Sequence, residues 1–173
     1  MKRFFATGAI AAGVLAVSSG AYAQNSEDWA KSSLSGRIGA FIPFEGDLRD
    51  LASIWFALGL DLEVPGRLVP NAQTVVSLDW NTHTGGQSAN IVPITISQRF
   101  YSGDFGNRTW FQVGIGASVL DFSPSDLVFS AKAGIGFEFK ENYFLAADIF
   151  WTDKHGSADI AGSGIAGYIG IRF

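Results

Sequence analysis

From residue 34 onward, apolar side chains recur at every second position, in eight segments of about ten residues each. They are Leu34–Pro43, Ser53–Leu62, Ala72–Asn81, Ala89–Phe100, Thr109–Val119, Val128–Phe139, Tyr143–Thr152 and Ser163–Phe173. In Val128–Phe139, for example, Phe129, Ala131, Ala133, Ile135, Phe137 and Phe139 share one face. Side chains two apart line one face of a strand but scatter around a helix. The 21 glycines, many inside these segments, also disfavour helix.

Short stretches with turn chemistry separate the segments: Pro65-Gly66, Gly85-Gly86, Ser102-Gly103-Asp104, Ser123-Pro124, Glu141-Asn142 and Gly162. Strands joined by such links pair as successive hairpins. Eight in a row make an up-and-down meander, and closing it removes both exposed edges. The expected fold is therefore all-β: an eight-stranded antiparallel up-and-down barrel, in one domain spanning 34–173. The chain has no cysteine, which excludes disulfide staples, thiol catalysis and Cys-type metal sites.

The N-terminus reads differently. Met1-Lys2-Arg3 is a short basic start, followed by an uncharged run from Phe4 to about Val17 and then Ala21-Tyr22-Ala23. This is the three-part pattern of a secretory signal peptide over 1–23, with cleavage between Ala23 and Gln24. The run is too short and too rich in small residues for a spanning helix. Residues 24–33 (QNSEDWAKSS) read as a flexible polar lead-in. Without Lys2 and Arg3, 10 basic side chains stand against 16 acidic ones. That balance argues against nucleic acid as a partner, which requires a basic face.

The opposite face of the segments carries the polar residues. By alternation it holds Arg37 and Phe41; Trp55 and Asp61; Asp79; Thr95, Ser97 and Arg99; Gln112 and Ser118; Ser130, Lys132 and Glu138; Asp148 and Thr152; Tyr168 and Arg172. Its charges balance: Asp61, Asp79, Glu138 and Asp148 against Arg37, Arg99, Lys132 and Arg172. An exported chain whose strands have the length of a tilted bilayer crossing places its apolar face in lipid and its polar face inside. Inside a narrow barrel, charges must pair. Glycines at 39, 59, 114, 116, 134, 136 and 170 leave room for them. Aromatics near the segment ends suggest two interfacial girdles: Phe41, Phe44, Trp80, Phe100, Tyr101, Trp110, Phe111, Phe139, Tyr143, Trp151 and Phe173.

The chain ends Ile165-x-Gly167-x-Ile169-x-Ile171-x-Phe173. This alternating strand with a terminal Phe resembles the C-terminal signature of bacterial outer-membrane barrels. With the signal pattern and the eight segments, the chain from 24 onward is similar to the small outer-membrane β-barrels of the OmpA, OmpX and OmpW type. The resemblance implies an outer-membrane location as a monomer. It further implies lipid, periplasmic chaperones and the barrel-assembly machinery as partners, with Ile165, Ile169, Ile171 and Phe173 as the assembly signal. Both ends of the barrel chain would face the periplasm. Outer loops fall at about 44–52, 82–88, 120–127 and 153–162, and inner turns at about 63–71, 101–108 and 140–142. A structural, surface-interaction or envelope-integrity role is expected, with a narrow channel for small or apolar solutes as the alternative.

Chemistry is sparse, and no catalytic residue, metal ligand set or cofactor site is assigned. His155-Gly156-Ser157 resembles the H-x-S element of outer-membrane lipid A deacylases, with Asp153 and Asp159 nearby. A serine esterase needs such a base and an acid to orient it. The following Glu of that family is absent, since no Glu occurs after Glu141. His83 with Asp47 or Asp126 is too little for a metal site. Asn107-Arg108-Thr109 matches a glycosylation sequon that bacterial export makes irrelevant. Gly114-Ile115-Gly116 and Gly134-Ile135-Gly136 lie mid-strand and are not phosphate loops.

Overall fold

The computed structural model describes residues 33–173 except 66, 67, 70, 71, 84, 86–88, 105, 123, 124, 141 and 156–158. Ala23, Gln24 and the rest of 1–32 lie outside the described residues. So do Gly66, Gly86, Ser123, Pro124, Glu141, Gly156 and Ser157, and the side chain of His155. The strands are β1 (Ser33–Pro43), β2 (Trp55–Val64), β3 (Gln73–His83), β4 (Ala89–Asp104), β5 (Asn107–Asp121), β6 (Ser125–Phe139), β7 (Tyr143–Thr152) and β10 (Gly164–Arg172). Between β7 and β10 lies a small hairpin, β8 (Lys154–His155) with β9 (Ile160–Ala161). One short helix, α1 (Gly46–Leu51), follows β1.

The eight long strands form a closed, wholly antiparallel barrel in the order β1-β10-β7-β6-β5-β4-β3-β2. Each strand pairs with its neighbours in sequence, and β1 pairs with β10 from Ser35↔Arg172 to Pro43↔Gly164. The sheet has no free edge, so its backbone polar groups are satisfied within the wall.

The ladder fixes the slant. Tyr143 pairs with Ile171, Ile171 with Gly36, Gly36 with Leu60, and Leu60 with Leu78. Leu78 pairs with Ile94, Ile94 with Ala117 and Ala117 with Phe129, whose carbonyl accepts from the amide of Asp153. One circuit therefore climbs from residue 143 to residue 153, a shear of ten. With eight strands this implies a strand tilt of about 40°.

Side-chain direction follows the alternation. Burial switches at nearly every residue, as in β7 from Tyr143 to Thr152 and in β10 from Gly164 to Gly170. The exposed set is the apolar one: Ile38, Leu60, Leu78, Ile96, Val113, Ile115, Ile135, Leu145, Ile149 and Ile169 all face outward. Ile115 is 63% exposed while Arg99 is 1% exposed, the reverse of a water-soluble fold. Two aromatic belts bound the apolar wall. Phe44, Phe56, Trp80, Phe129 and Trp151 lie towards the α1 end. Phe100, Phe111, Phe137, Phe139, Tyr143 and Phe173 lie towards the other. At about ten tilted residues per strand, the wall between them is about 25 Å tall.

Tyr101 and Trp110, expected in the girdles, turn inward instead, and so does Phe41, which alternation also places on the inner face. Phe41, Tyr101 and Trp110 share the parity of Arg37, Arg99 and Gln112, and Phe41 and Trp110 are almost fully buried. Alternation outweighs the position near a strand end. Several links are also more ordered than expected. The 101–108 turn shrinks because β4 and β5 stay paired to Asp104↔Asn107, with Gly106 turning at φ 81°. The 120–127 loop shrinks because pairing reaches Asp121↔Ser125. The 44–52 loop contains α1, and the 153–162 loop contains β8 and β9. Ser33, assigned to the lead-in, belongs to β1, whereas β2 begins at Trp55 rather than Ser53.

Glycines in the wall make room for the filling. A Cβ at Gly59 would lie 2.6 Å from Asp79 Oδ1 and collide with Arg37 Nε. At Gly136 it would lie 2.7 Å from Trp110 Nε1 and strike the indole ring. Gly136→Val should therefore destabilise the barrel by about 1–3 kcal/mol through overpacking. Urea unfolding of refolded protein measures this, with no loss expected for Gly167→Ala, where a Cβ meets open space.

Candidate functional site

The interior is filled in storeys. At the α1 end it is apolar. Phe41, Trp55, Ile91, Leu120 and Phe150 are at most 1% exposed and form a cluster with Ala57, Ala89, Val128 and Ala166. Phe41 meets Trp55 and Phe150 edge-on, with ring centroids 6.1 and 6.4 Å apart. Leu48 of α1 is buried on this cluster, and Trp55 Nε1 donates to the carbonyl of Ala52 just past the helix (3.0 Å). By alternation the opposite face is the polar one, with Phe41 and Trp55 among its residues. Towards α1 it is instead a small hydrophobic core.

The middle storey is ionic. Arg37, from β1, donates to Asp79 of β3 (2.6 Å) and to Asp148 of β7, and lies 3.3 Å from Asp61 of β2. Lys132 of β6 donates to Asp79 (3.2 Å) and lies 3.9 Å from Asp148. Arg99 of β4 donates to Asp61 (2.6 Å) and to Gln112 Oε1. Gln112 passes its amide to Asp148 (3.0 Å). Aromatic faces cover the cations: Arg37 lies 4.4 Å from the Tyr168 ring and Arg99 4.3 Å from that of Trp110.

The end away from α1 carries a second network. Arg172 of β10 reaches Glu63 (3.0 Å), Glu138 (2.7 Å) and the Tyr101 hydroxyl (2.9 Å). Tyr101 donates to Glu63 (2.6 Å), and Arg108 stacks 3.7 Å over the Tyr101 ring while donating to Glu138 (2.6 Å).

All eight charges anticipated for the interior, Arg37, Asp61, Asp79, Arg99, Lys132, Glu138, Asp148 and Arg172, point inward and take part in ion pairs. Glu63 and Arg108 join them and had been missed. Both have the inward parity, two residues from Asp61 and Trp110, but lie in stretches assigned to turns. Together five carboxylates meet five cations. Along β3–β6 the inner wall is small and polar. The hydroxyls of Ser77, Thr95, Ser97, Ser118 and Ser130 have no hydrogen-bond partner among the described residues.

The other sequence candidates do not converge on a reaction centre. His83 sits at the end of β3 with its ring 6.0 Å from that of Trp55. Among the described residues no three His, Asp or Glu side chains group as metal ligands. Asp153 follows β7, and Asp159, at φ 52°, pairs with Lys154 (3.0 Å) on the exposed hairpin. Phe173 closes the terminal strand, its amide donating to the carbonyl of Leu34 and its ring exposed. Ile165, Ile169 and Ile171 lie on the outer face, Ile171 partly covered.

The ionic storey makes a test. Arg99→Glu would set a new acid beside Asp61 and Glu63 and leave both short of a cation. Removing one partner from a buried pair typically costs about 3–5 kcal/mol, and the reversal should reach at least that range. Equilibrium unfolding should show it as a large drop in denaturant midpoint.

No family model matches the chain, and no curated protein matches its sequence. Solved structures do. The Yersinia pestis outer membrane protein Ail, in a phospholipid bilayer nanodisc, superposes with a TM-score of 0.55 at 15% identity, over 83% of this chain and 100% of that one. The outer membrane enzyme PagL gives 0.54 at 13%, over 82% and 98%. Neisserial surface protein A gives 0.51 at 10%, over 82% and 94%. At such identities the likeness is one of fold, and that fold is the small eight-stranded outer-membrane β-barrel, with no single member singled out.

Proposed function

We propose that the chain is an integral outer-membrane barrel with a structural, surface-interaction or envelope-integrity role, without enzymatic activity and without an open pore. The observation that carries the membrane reading is the inside-out distribution of side chains. The outward positions between the two aromatic belts include no charged residue, and the apolar wall has the height, about 25 Å, that a barrel presents to lipid. A soluble barrel with this exterior would aggregate. The filled interior supports a role other than conduction. A core of Phe41, Trp55 and Phe150 and a lattice of paired charges occupy the space a channel would need.

On this reading residues 1–23 direct export and are removed after Ala23. Phe173, with Ile165, Ile169 and Ile171, is the signal read by the assembly machinery. The loops at the α1 end face outward and both ends of the barrel chain face the periplasm. The surface role rests on what those loops present, which among the described residues includes a six-residue helix and a two-residue-per-strand hairpin with mixed charge. The one enzymatic feature, His155 with Asp153 and Asp159, sits on that exposed hairpin. Mass spectrometry of lipid A with and without expression should show no change in acylation, and a lost acyl chain would replace the structural role with an esterase.

Cell fractionation with heat-modifiable gel migration should place the folded chain in the outer membrane. Leu58→Arg or Ile135→Arg, at mid-wall, should cost about 2–4 kcal/mol for folding into bilayers. Folding equal to wild type would invert the sidedness. Deleting Phe173 should leave folding in detergent intact, because its ring is 75% exposed, but should slow insertion in cells and raise the periplasmic fraction at high expression.

A further inference from the structure

We infer that the apolar cluster under α1, rather than the ion-pair lattice, seals the interior against entry from the outer side. This rests on the membrane orientation proposed above. The seal is a mainly apolar layer: Phe41, Trp55, Ile91, Leu120 and Phe150 come from β1, β2, β4, β5 and β7, and β3 sets the buried Asn81 between Ala57 and Ile91. Leu48 lies on it from α1. Its rim is tied by backbone and hydroxyl bonds. Phe44 donates its amide to the carbonyl of Ser163, Thr152 donates its amide to the Ser163 hydroxyl, and Gly162 donates its amide to the Thr152 hydroxyl (2.7 Å).

Below the layer the chemistry changes. Thr95, Ser97, Ser118 and Ser130 form a strip of small side chains on β4, β5 and β6, next to Gly114 and Gly116. Their hydroxyls have no hydrogen-bond partner among the described residues, so water or another small polar molecule reaching them would gain hydrogen bonds rather than lose them. The ion pairs beyond carry charge and attract polar solutes. The barrier to wetting from outside is thus the mainly apolar layer, where Phe41, Trp55, Ile91, Leu120 and Phe150 offer a polar solute no partner and Asn81 offers a single amide. The interior is a polar chamber filled by its own side chains, behind a hydrophobic stopper.

The absence of cysteine makes the chamber easy to probe. Thr95→Cys puts a thiol at a fully buried position beneath the layer. The probe is a small cationic methanethiosulfonate reagent, applied to refolded protein in detergent, where both ends are open, and in vesicles of outward orientation. With the layer intact, the thiol should react slowly in both. Adding Trp55→Ala and Phe150→Ala, singly and together, should speed labelling by about tenfold or more, since a polar reagent crosses an apolar barrier slowly. Arg108→Ala should accelerate it in detergent but not from outside in vesicles. Heat-modifiable migration confirms folding of each variant, and the single substitutions carry the test if the double one does not fold.

Labelling that stays slow in folded layer-truncated protein overturns the proposal. So does labelling from outside that rises only when the ionic groups are neutralised. If truncation opens the chamber in detergent but vesicles label only from the inner side, the seal stands and the assigned orientation fails.

Discussion

Arg37 reaches three carboxylates carried by three different strands: Asp61 on β2, Asp79 on β3 and Asp148 on β7. Its own strand, β1, is where the sheet closes on itself against β10. The most connected interior cation therefore sits at the closure, and only the closed barrel assembles its partners. An open meander would leave Asp148 far from Arg37 along the sheet. Buried charges are costly alone and tolerable when fully paired, so the lattice favours one closed register over its neighbours. A slip of one residue would send Arg37 to the outer face and an isoleucine inward.

The parity of each strand was legible because lipid-facing and interior residues differ in kind along most of the wall. Arg37 beside Ile38, Asp79 beside Leu78 and Lys132 beside Ala131 allow only one phase. Legibility failed where the two faces carry the same chemistry. Phe41, Ile91 and Phe150 each stand beside an outward apolar residue, Ile42, Val92 and Ile149, so alternation says which way they point but not that they gather into a core. It also failed at strand ends. Tyr101, Arg108 and Glu63 keep the inward phase beyond the stretch whose pattern marks a strand, and turn residues nearby mask it. The helix at Gly46–Leu51 is too short for a periodic signal. It depends on Leu48, buried against the interior, with Leu51 packed beside it, contacts that only the closed mouth supplies.

The interior and exterior obey different rules. Outside, the requirement is apolarity with aromatic edges, and Leu, Ile, Val and Phe can replace one another with little loss. Inside, each side chain is shaped by its neighbours: Gly59 is small because Arg37 and Asp79 meet across it, and Gly136 because Trp110 lies on it. Any chemistry specific to this chain therefore resides in the interior and the loops, while the wall expresses only the solvent around it.

The shear of ten has a geometric corollary. For a given number of strands, a greater stagger slants them more and widens the bore. The bore must then be filled, and this chain does so with bulky aromatics, arginines and a lysine. Had the circuit closed two residues earlier, the cylinder would be narrower and the same guanidinium–carboxylate and indole pairs would not fit. Backbone stagger and side-chain bulk are thus two readings of one dimension, and descendants of this chain that change one must change the other in step.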